Sequence, residues 1–444
     1  MEFAAAVALL ETFTAESASR RHPGRLDRMR AFLRLLGDPQ NSFRSIHVGG
    51  TAGKGSTATM CAAILGSAGH KVGLHTKPHL SNVTERARIN GVPIEESRFA
   101  ALLADMVPAI DRMRDGSFGV PSYFEILVAL SFIFFAREKV DIALIEVGVG
   151  GRLDGTNVIH PLVSILTNVG FDHVEILGNT IEEIATDKCG IIKTDVPIVT
   201  AARRPAALEI IRTAARSKRA PLTVVHEAAR IEKLPPLTQY AQACQVTTAR
   251  AAYQLTMPLL GEFQSVNAAT AILACERLPE SVAPQPSEVV AGLSTLSLPG
   301  RMEFYPSRPS VMFDVAHNVE KAAALRRGLE SSFAGRRLIF VCAIAEGKDV
   351  EGMIALWSGL PAHFIFTTFD VPHRAAVPAQ KAAQIAEHHG VPARVVEHPK
   401  TALAAARGLA LDDDVVIVTG STFIVAMLRS WFLDDPAPLG PLHV

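Results

Sequence analysis

A glycine-rich segment in the first part of the chain carries the strongest chemical signal. It reads His47-Val48-Gly49-Gly50-Thr51-Ala52-Gly53-Lys54-Gly55-Ser56, and it lies between a β-branched run and a helical pattern over residues 57–68. Glycines let backbone N–H groups converge on phosphate oxygens, and a helix N-terminus adds a partial positive charge. Lys54 can neutralise the β- and γ-phosphates of a nucleotide, and the Ser56 hydroxyl can reach a phosphate or Mg²⁺. The segment therefore predicts a nucleotide-phosphate site.

Five residues of this loop are the predicted nucleotide contacts: Thr51, Gly53, Lys54, Gly55 and Ser56. The alternative is an ordinary strand-to-helix turn. Gly55 separates Lys54 from Ser56, so the segment departs from the strict Walker pattern.

Two further polar residues follow neighbouring apolar runs. Glu146 lies near the end of the run 140–147, where a carboxylate is unfavourable unless it is paired or bound to a cation. His173 follows the next run, 162–167, so we expect both side chains at the carboxyl edge of one sheet, where ligands bind. A carboxylate beside an imidazole and phosphates suits Mg²⁺, or Mn²⁺ as a substitute. The alternatives are a strand-end salt bridge for Glu146 and an ordinary loop histidine for His173.

These residues must be positioned by strands and helices around a hydrophobic core, and the length and composition of the chain are sufficient to form one. The 444 residues suggest two domains or three, at roughly 150 residues each. The 48% hydrophobic and 20% charged content is typical of a globular protein and unlike a disordered chain. Basic and acidic residues number 44 each, and a net charge of zero disfavours nucleic acid or an anionic membrane as partner.

The cysteines and apolar stretches indicate a cellular setting. Five scattered cysteines without a CxxC pair fit neither a disulfide scaffold nor a structural zinc site. The longest apolar stretch, residues 126–136, is too short to span a membrane, and the N-terminus has acidic residues where a signal peptide has Lys or Arg. We therefore expect a cytoplasmic protein.

Strand-like runs alternate with segments of helical spacing. The runs 45–48, 140–147, 162–167 and 196–200 predict crossover connections and a mostly parallel sheet. After Leu298-Pro299-Gly300, a second series predicts an independent open sheet, with runs at 311–315, 338–343, 364–367, 394–397 and 415–419. The chain is thus expected to be α/β, and the details of residues 205–258 are left open.

The glycine-rich loop resembles the Gly-Thr-x-Gly-Lys-Gly-Ser loop of the Mur ligase superfamily, above all that of folylpolyglutamate synthases and bifunctional dihydrofolate synthases. The resemblance continues in order and spacing through nearly the whole chain, over Leu26-Asp27-Arg28-Met29, Pro78-His79-Leu80, Glu85-Arg86, Tyr123-Phe124-Glu125, Glu146-Val147-Gly148, Gly150-Gly151-Arg152-Leu153-Asp154, Asp172-His173, Asp187-Lys188-Cys189-Gly190-Ile191, Gly261-Glu262-Phe263-Gln264, Asn267, Pro299-Gly300-Arg301, Asp314 and His317-Asn318. It implies a central P-loop domain over 1–297 that binds ATP, and a smaller Rossmann-like C-terminal ligase domain over 298–444.

The resemblance also implies a reaction, which is ATP-driven amide formation. A carboxylate attacks the γ-phosphate, an amine attacks the resulting acyl phosphate, and ADP and phosphate leave. The protein contributes positioning and charge neutralisation, so no protein nucleophile is required. The residues implied for this chemistry are Lys54, Glu146, His173 and Lys188.

Lys188 has a special place in that set. Without the resemblance, Lys188 would be interpreted as a cation near a helix C-terminus, where it interacts favourably with the helix dipole. In similar enzymes this lysine is carbamylated by CO₂, which creates an anion able to bind a metal. The resemblance thus implies one or two Mg²⁺ ions held by Glu146, His173 and carbamylated Lys188.

Further residues are assigned by resemblance to the nucleotide and the amino acid. Asn267 and Arg301 match adenine and ribose contacts, with Arg301 at the domain boundary, so that domain closure would enclose the nucleotide. Asp314 and His317 match residues that face its phosphates. Ser421 is a candidate for the amino acid site, with a helix N-cap as the alternative.

The acceptor side is matched by Tyr123-Phe124-Glu125 and Leu153-Asp154, which resemble segments that contact the pterin in the bifunctional enzymes. An aromatic face can stack on a flat heterocycle, and a carboxylate can accept hydrogen bonds from its ring N–H groups. The alternative is that Tyr123 and Phe124 simply begin the apolar helix that follows.

Five positions, in four places along the chain, depart from the family pattern. Ala52 replaces the usual Asn of the loop, Phe263 replaces a His, and Val315 and Val319 replace a Gly and a Pro. Lys77 stands where the family commonly has a metal-binding Ser. An ammonium cannot bind Mg²⁺, yet it can neutralise phosphate directly, so we predict that one divalent ion suffices.

The resulting expectation is ligation of L-glutamate to a pteroate or folate by a monomeric enzyme with no nucleic acid or membrane partner. Two alternatives stay open. One is ligation of an amino acid to a different carboxylate metabolite, and the other is a nucleotide-binding protein that has lost ligation.

Overall fold

The computed structural model describes residues 1–14, 24–235, 240–371 and 374–434. They form two compact units. The first unit contains the described residues up to 234, with 244–256 and 265–296. The second unit contains the described residues of 235–243, 257–264 and 297–434.

The first unit is built on an eight-stranded sheet. Its strands are β1 (Arg44–Gly49), β2 (Val72–His75), β3 (Ala87–Ile89), β4 (Val92–Pro93), β5 (Ile142–Glu146), β6 (Val163–Leu166), β7 (Ile198–Thr200) and β8 (Leu222–Val224). They lie in the order β4-β3-β2-β5-β1-β6-β7-β8. β3 runs antiparallel to both of its neighbours, β2 and β4. The other neighbours are parallel, which brings the carboxyl ends of β2, β5, β1 and β6 to one edge.

A small second sheet and the helices complete this part of the chain. The small sheet has the order β11-β10-β9, with strands β9 (Arg230–Leu234), β10 (Gln242–Thr247) and β11 (Ala252–Met257). The helices before residue 300 are α1 (Phe3–Glu11), α2 (Arg25–Leu35), α3 (Lys54–Ser67), α4 (Glu96–Arg114), α5 (Tyr123–Arg137), α6 (Val174–Leu177), α7 (Ile181–Lys188), α8 (Pro205–Ser217), α9 (Val225–Ala228), α10 (Phe263–Cys275) and α11 (Pro286–Ser294).

The helix α5 shows how local sequence sets an element. Ser122 is its N-cap and forms a capping box with Glu125, which satisfies backbone donors at the helix start. The residues 126–135 are all buried and, except for Ser131, apolar, so this part of the helix lies inside the hydrophobic core. This packing fixes the side chains of its first turn relative to the sheet.

The second unit contains a six-stranded sheet. Its strands are β12 (Glu303–Tyr305), β13 (Ser310–Phe313), β14 (Leu338–Cys342), β15 (Ala362–Phe366), β16 (Ala393–Val395) and β17 (Val415–Thr419), in the order β12-β13-β17-β14-β15-β16. β12 is antiparallel to β13, and the other neighbours are parallel. The helices are α12 (Val319–Ser332), α13 (Val350–Ser358), α14 (Ala379–His388), α15 (Pro399–Leu409) and α16 (Thr422–Asp434).

The α/β class and the mostly parallel sheets confirm the sequence prediction, and the predicted runs coincide with β1, β5, β6, β7 and β13 to β17. The short strands β2, β3, β4 and β12 were not predicted, and β8 to β11 lie in the stretch 205–258 that the sequence left open. The helix α3 begins at Lys54, three residues before the predicted start at Thr57, because Gly53 turns the chain directly into it at φ +79°. Among the described residues, no helix is both long and apolar enough to cross a membrane.

Candidate functional site

The first half of the glycine-rich loop is fastened to the segment that follows β6. The side-chain oxygen of Asn168 accepts hydrogen bonds from the backbone N–H groups of Thr51 and Ala52, at 3.1 and 2.8 Å. The Thr51 hydroxyl donates to the Gly170 carbonyl at 3.1 Å, and the Thr167 hydroxyl donates to the Ala52 carbonyl at 2.6 Å. Since these contacts occupy the amides of residues 51 and 52, the first turn of α3 supplies the open N–H groups.

The second half of the loop is packed too tightly for side chains. A Cβ at Gly53 would lie 2.6 Å from the side-chain oxygen of Asn267, on α10, and the positive φ of Gly53 adds strain for any other residue. A Cβ at Gly55 would lie 3.2 Å from Oε2 of Glu146. Asn267 and Glu146 therefore border the N-terminus of α3, where a helix favours anions.

Two buried lysines meet beneath this loop. Lys54 Nζ donates to the carbonyl oxygens of Gly50 and Thr51 at 2.9 and 3.1 Å. Lys188, the last residue of α7, is only 2% exposed and donates to the Gly50 oxygen at 3.0 Å. Burial and the neighbouring charge of Lys54 lower the pKa of Lys188 to about 7. Lys188 is thus a lysine with a substantial neutral fraction near neutral pH.

Glu146 lies beside a third lysine. It ends β5, is 3% exposed, and its Oε2 accepts a hydrogen bond from the backbone N–H of Lys77 at 3.0 Å. Burial and the charge of Lys54 lower the pKa of Lys77 to about 8, against the opposite effect of Glu146 and Asp172. The edge of the sheet thus holds a buried carboxylate among several ammonium groups.

His173 stands at the outer side of this cluster. It has φ +49° at the N-terminus of α6, and its ring nitrogens lie 3.8 Å from Asp172 and 3.6 Å from Glu175. Burial lowers the pKa of His173 in spite of Asp172, and Lys77 and Lys54 act in the same direction as burial. The imidazole is therefore neutral at neutral pH, which is the form that can bind a metal.

The donor set fits a divalent cation held together with a nucleotide. Glu146 offers a buried carboxylate and His173 a neutral imidazole, while Lys188 is a donor only after it becomes a carbamate. In the described part of the chain, no group of three His, Cys, Asp or Glu side chains is arranged to hold a metal by itself. A cation here would need phosphate oxygens to complete its ligands.

The predicted acceptor residues lie beside the same edge. Phe124, in the first turn of α5, packs edge-on against His75 with ring centroids 6.2 Å apart. A Cβ at Gly148 would lie 2.5 Å from the Phe124 ring, so this glycine makes room for the aromatic side chain. Tyr123 and Leu153 are half-buried, and burial raises the pKa of Tyr123.

The two carboxylates among the predicted acceptor residues, Glu125 and Asp154, accept hydrogen bonds from other groups of the protein. Glu125 is fully buried and accepts hydrogen bonds from Arg28 Nε and from the Ser122 amide, at 3.0 and 2.8 Å. Asp154 accepts from the amides of Val149 and Thr156, at 2.9 and 3.0 Å. These contacts shape the site, and a direct contact of either carboxylate with a substrate stays a prediction.

The remaining predicted residues lie in the second unit. Asp314 follows β13 and accepts hydrogen bonds from the amides of Met302 and Ala316 at 2.9 and 2.8 Å; burial raises its pKa, against the effect of Arg301. His317 Nδ1 lies 2.8 Å from the Val315 carbonyl, and Nε2 lies 2.8 Å from Nζ of Lys321. Burial and Lys321 lower the pKa of His317 to about 3, so the ring is neutral.

Ser421 precedes α16. Its hydroxyl accepts a hydrogen bond from the Ile424 amide at 3.2 Å, and the residue is 2% exposed. This geometry is that of a helix N-cap, the alternative that the sequence offered. Contact with an amino acid substrate stays a prediction.

Sequence reasoning missed Asn168. The residue follows β6, the parallel neighbour of β1, so the sequence could have placed it at the carboxyl edge of the sheet beside the glycine-rich loop. Its amide has no distinctive chemistry alone, and the contact with residues 51 and 52 depends on how the two loops fold.

Comparison with known proteins identifies the class that this arrangement represents. Residues 112–275 match the Mur ligase middle domain, and residues 300–422 match the glutamate ligase domain of Mur ligases. The two units are thus those of a Mur ligase.

Similar proteins narrow the class. The chain is 35% identical over 411 residues to the dihydrofolate synthase/folylpolyglutamate synthase of Bacillus subtilis, covering 92% of this chain and 94% of the relative. A Mycobacterium tuberculosis folylpolyglutamate synthase structure with ADP aligns with TM-score 0.88 and 30% identity, over 98% of this chain and 99% of the other. E. coli FolC in complex with DHPP and ADP aligns with TM-score 0.85 and 26% identity, over 97% and 98%.

The chain belongs to the dihydrofolate synthase/folylpolyglutamate synthase family of ATP-dependent ligases. The family resemblance, the enzyme class and the α/β fold predicted from sequence are confirmed.

Proposed function

We propose that this protein joins L-glutamate to dihydropteroate, to a reduced folate, or to both, with conversion of ATP to ADP and phosphate. The observation that carries the proposal is the convergence of Lys54, Lys188 and Glu146 on the glycine-rich loop. The relatives with ADP, and the one with DHPP and ADP, support a nucleotide and a pterin-type acceptor. The likeness over nearly the full length of the B. subtilis bifunctional enzyme supports both acceptors.

The reaction proceeds through two displacements. An oxygen of the acceptor carboxylate attacks the γ-phosphorus of ATP, and the bond to ADP breaks. The amine of glutamate then attacks the acyl carbon, loses a proton and displaces phosphate. Both steps bring anionic groups together, so the cationic side chains at the loop lower the barrier by neutralising charge and fixing positions.

Each residue at the loop has a proposed task. The amides of residues 53–56, the Lys54 ammonium and the Ser56 hydroxyl bind phosphate oxygens. Thr51, predicted as a nucleotide contact, instead holds the loop in place, because its hydroxyl donates to the Gly170 carbonyl and accepts from the Gly170 amide. Asn267 orients the adenine beside Gly53. Arg301, Asp314 and His317 are proposed to contact the nucleotide from the C-terminal domain, with the domains divided as 1–297 and 298–444.

Magnesium is the proposed metal. Glu146, His173 and carbamylated Lys188 would hold one or two ions, which would stabilise negative charge on the phosphates when bound. Lys188 is suited to carbamylation because its neutral amine can attack CO₂. Tyr123, Phe124 and Leu153 are proposed to bind the acceptor, with Glu125 and Asp154 beside them and Ser421 toward the amino acid. We propose that the enzyme acts as a monomer in the cytoplasm.

The direct test is phosphate release with MgATP, L-glutamate and either dihydropteroate or tetrahydrofolate, followed by mass analysis of the product. Addition of one glutamyl residue to either acceptor is the expected result, and it tells which activity is present. ATP binding without glutamate-dependent phosphate release for either acceptor would contradict the proposal. A Lys54→Met variant, expected to be inactive, controls for contaminating phosphatases.

A further inference from the structure

Arg86 stands in a row of residues at the edge of the large sheet. The register places three residues of neighbouring strands opposite one another: Ala87, His75 and Ile145. One step further along these strands lie Arg86, Thr76 and Glu146, and the Thr76 amide donates to the Arg86 carbonyl at 3.4 Å. Adjacent strands are about 4.8 Å apart, so the backbones of Arg86 and Glu146 stand about 10 Å from each other. Thr76 lies between them, and all three residues stand at the same edge of the sheet.

The Arg86 guanidinium has no anionic partner in the part of the chain that the structure describes. Its Nε donates to Nδ1 of His79 at 3.1 Å, which uses one of its five N–H groups. The neighbouring Glu85 pairs with Arg88 at 3.3 Å and accepts three backbone hydrogen bonds, from the amides of Leu80, Ser81 and Asn82. Glu85 is therefore occupied elsewhere.

The surroundings of Arg86 are nonetheless those of a desolvated charge. Burial lowers the pKa of Arg86, while Tyr123, Glu146 and Glu85 act in the opposite direction. A desolvated guanidinium without an ion pair is costly, and such groups in proteins are paired or await an anionic ligand. The charges of Tyr123 and Glu146 both act on Arg86, so its guanidinium lies near the first turn of α5 and near Glu146, and this limits which ligand it can bind.

We propose that Arg86 binds the carboxylate of the acceptor substrate, the group that receives the phosphate. Arg86 is a buried cation close to Tyr123, the neighbour of Phe124, so an acceptor whose flat ring packs on Phe124 can present its carboxylate to Arg86. The fork of guanidinium N–H groups matches the two oxygens of a carboxylate, and a lysine in its place cannot make the same paired contact. This assignment rests on the proposed ligase function and adds to it the residue that selects an acid acceptor.

The test compares binding of dihydropteroate and of its primary amide, by isothermal titration in the presence of ADP. The wild type is expected to prefer the acid. In Arg86→Met, affinity for the acid should fall about tenfold or more, as for loss of a charge-assisted hydrogen bond. Affinity for the amide should change far less, so the preference disappears. Arg88→Met is the matched control, because Arg88 lies two residues away and pairs with Glu85.

The possible results distinguish a wrong assignment of Arg86 from a wrong assignment of the ligase function. If the wild type ligates glutamate and Arg86→Met keeps the acid-over-amide preference of the wild type, Arg86 does not bind the carboxylate. If the wild type binds neither acceptor, the ligase function and this assignment both fail. Should Arg86→Met not fold, as judged by circular dichroism, Arg86→Lys replaces it. An intermediate preference then supports the inference, and an unchanged preference overturns it.

Discussion

Lys54 and Lys188 donate hydrogen bonds to the same carbonyl oxygen, that of Gly50, at 2.9 and 3.0 Å. Two ammonium groups on one oxygen repel each other, and both are buried. Loss of a proton from one of them relieves the repulsion. Lys188 is the lysine that loses its proton more readily, since its pKa is lowered to about 7 by burial and by the charge of Lys54.

We expect Lys188 to react with CO₂ in a manner that follows this pKa. Carbamylation needs the neutral amine, whose fraction rises as the pH increases through about 7. At constant dissolved CO₂, carbamate on Lys188 should therefore increase from pH 6 to pH 8. The measurement is ¹³C NMR with labelled bicarbonate, and Lys188→Arg should lack the signal. A spectrum that is the same for the parent and Lys188→Arg would rule out the modification.

Lys77→Ser should increase the requirement for magnesium. In the parent, the ammonium of Lys77 adds a positive charge beside Glu146, so saturation by a single ion is expected. Without that charge, the variant should need several-fold more Mg²⁺ for half-maximal turnover, with a steeper dependence. Titration of turnover with Mg²⁺ checks this, with Lys71→Ser as control because Lys71 pairs with Glu138. Identical metal curves for parent and Lys77→Ser would show that Lys77 takes no part.

The sequence could predict the parts of this site that depend on local pattern. The run at 140–147 and the glycine loop place Glu146 and Lys54 at adjacent strand ends, because parallel neighbours share a carboxyl edge. The contact of Lys188 with Gly50 spans 138 residues and arises from packing of α7 on the loop, which no local pattern encodes. The burial of Glu125 against Arg28 has the same origin, since it links α2 to α5.

The short strands of the first sheet were the part of the fold that the sequence did not predict. β2 has four residues, and β3 and β4 have three and two, so their residues give little periodicity. Yet β2 and β3 carry Lys77 and Arg86 to the site edge. Their pairing is a property of the whole sheet, and this explains why the role of Arg86 emerges only from the structure.

Phe124→Ala should weaken acceptor binding. The ring lies at the site edge, packed on His75 and Gly148, and a stacked aromatic contact contributes about 0.5–1.5 kcal/mol beyond its buried area. The KM for the acceptor should rise about tenfold, with little change in the KM for ATP. Steady-state kinetics on a variant with unchanged thermal stability provides the check, and Phe118→Ala, at an exposed position, is the control. Unaltered acceptor KM and turnover would remove Phe124 from the acceptor site.

Glu125→Gln should act on stability more than on substrate binding. Glu125 is fully buried and accepts charge-assisted hydrogen bonds from Arg28, each of which contributes about 1.5–3 kcal/mol. Unfolding in urea should show a loss of that order for the first unit, and the KM for the acceptor should stay within about twofold. Glu138→Gln, which breaks a more exposed pair with Lys71, should cost less than about 1 kcal/mol. A large rise in acceptor KM with normal stability would instead make Glu125 a substrate ligand.

Ser421→Ala distinguishes two roles for a residue that the sequence leaves open. The hydroxyl accepts from the Ile424 amide and is almost inaccessible, so its loss should cost about 1 kcal/mol of stability, as for other N-caps. Ser421→Asp supplies another good capping side chain but adds negative charge. If the residue only caps α16, neither variant changes the KM for glutamate by more than about twofold, although burial of the aspartate charge lowers stability. If Ser421 also binds the amino acid, both variants raise that KM, and the aspartate does so more strongly because it repels the carboxylates of glutamate. From the burial of the hydroxyl we expect the first result, read from thermal unfolding and glutamate kinetics on the same preparations.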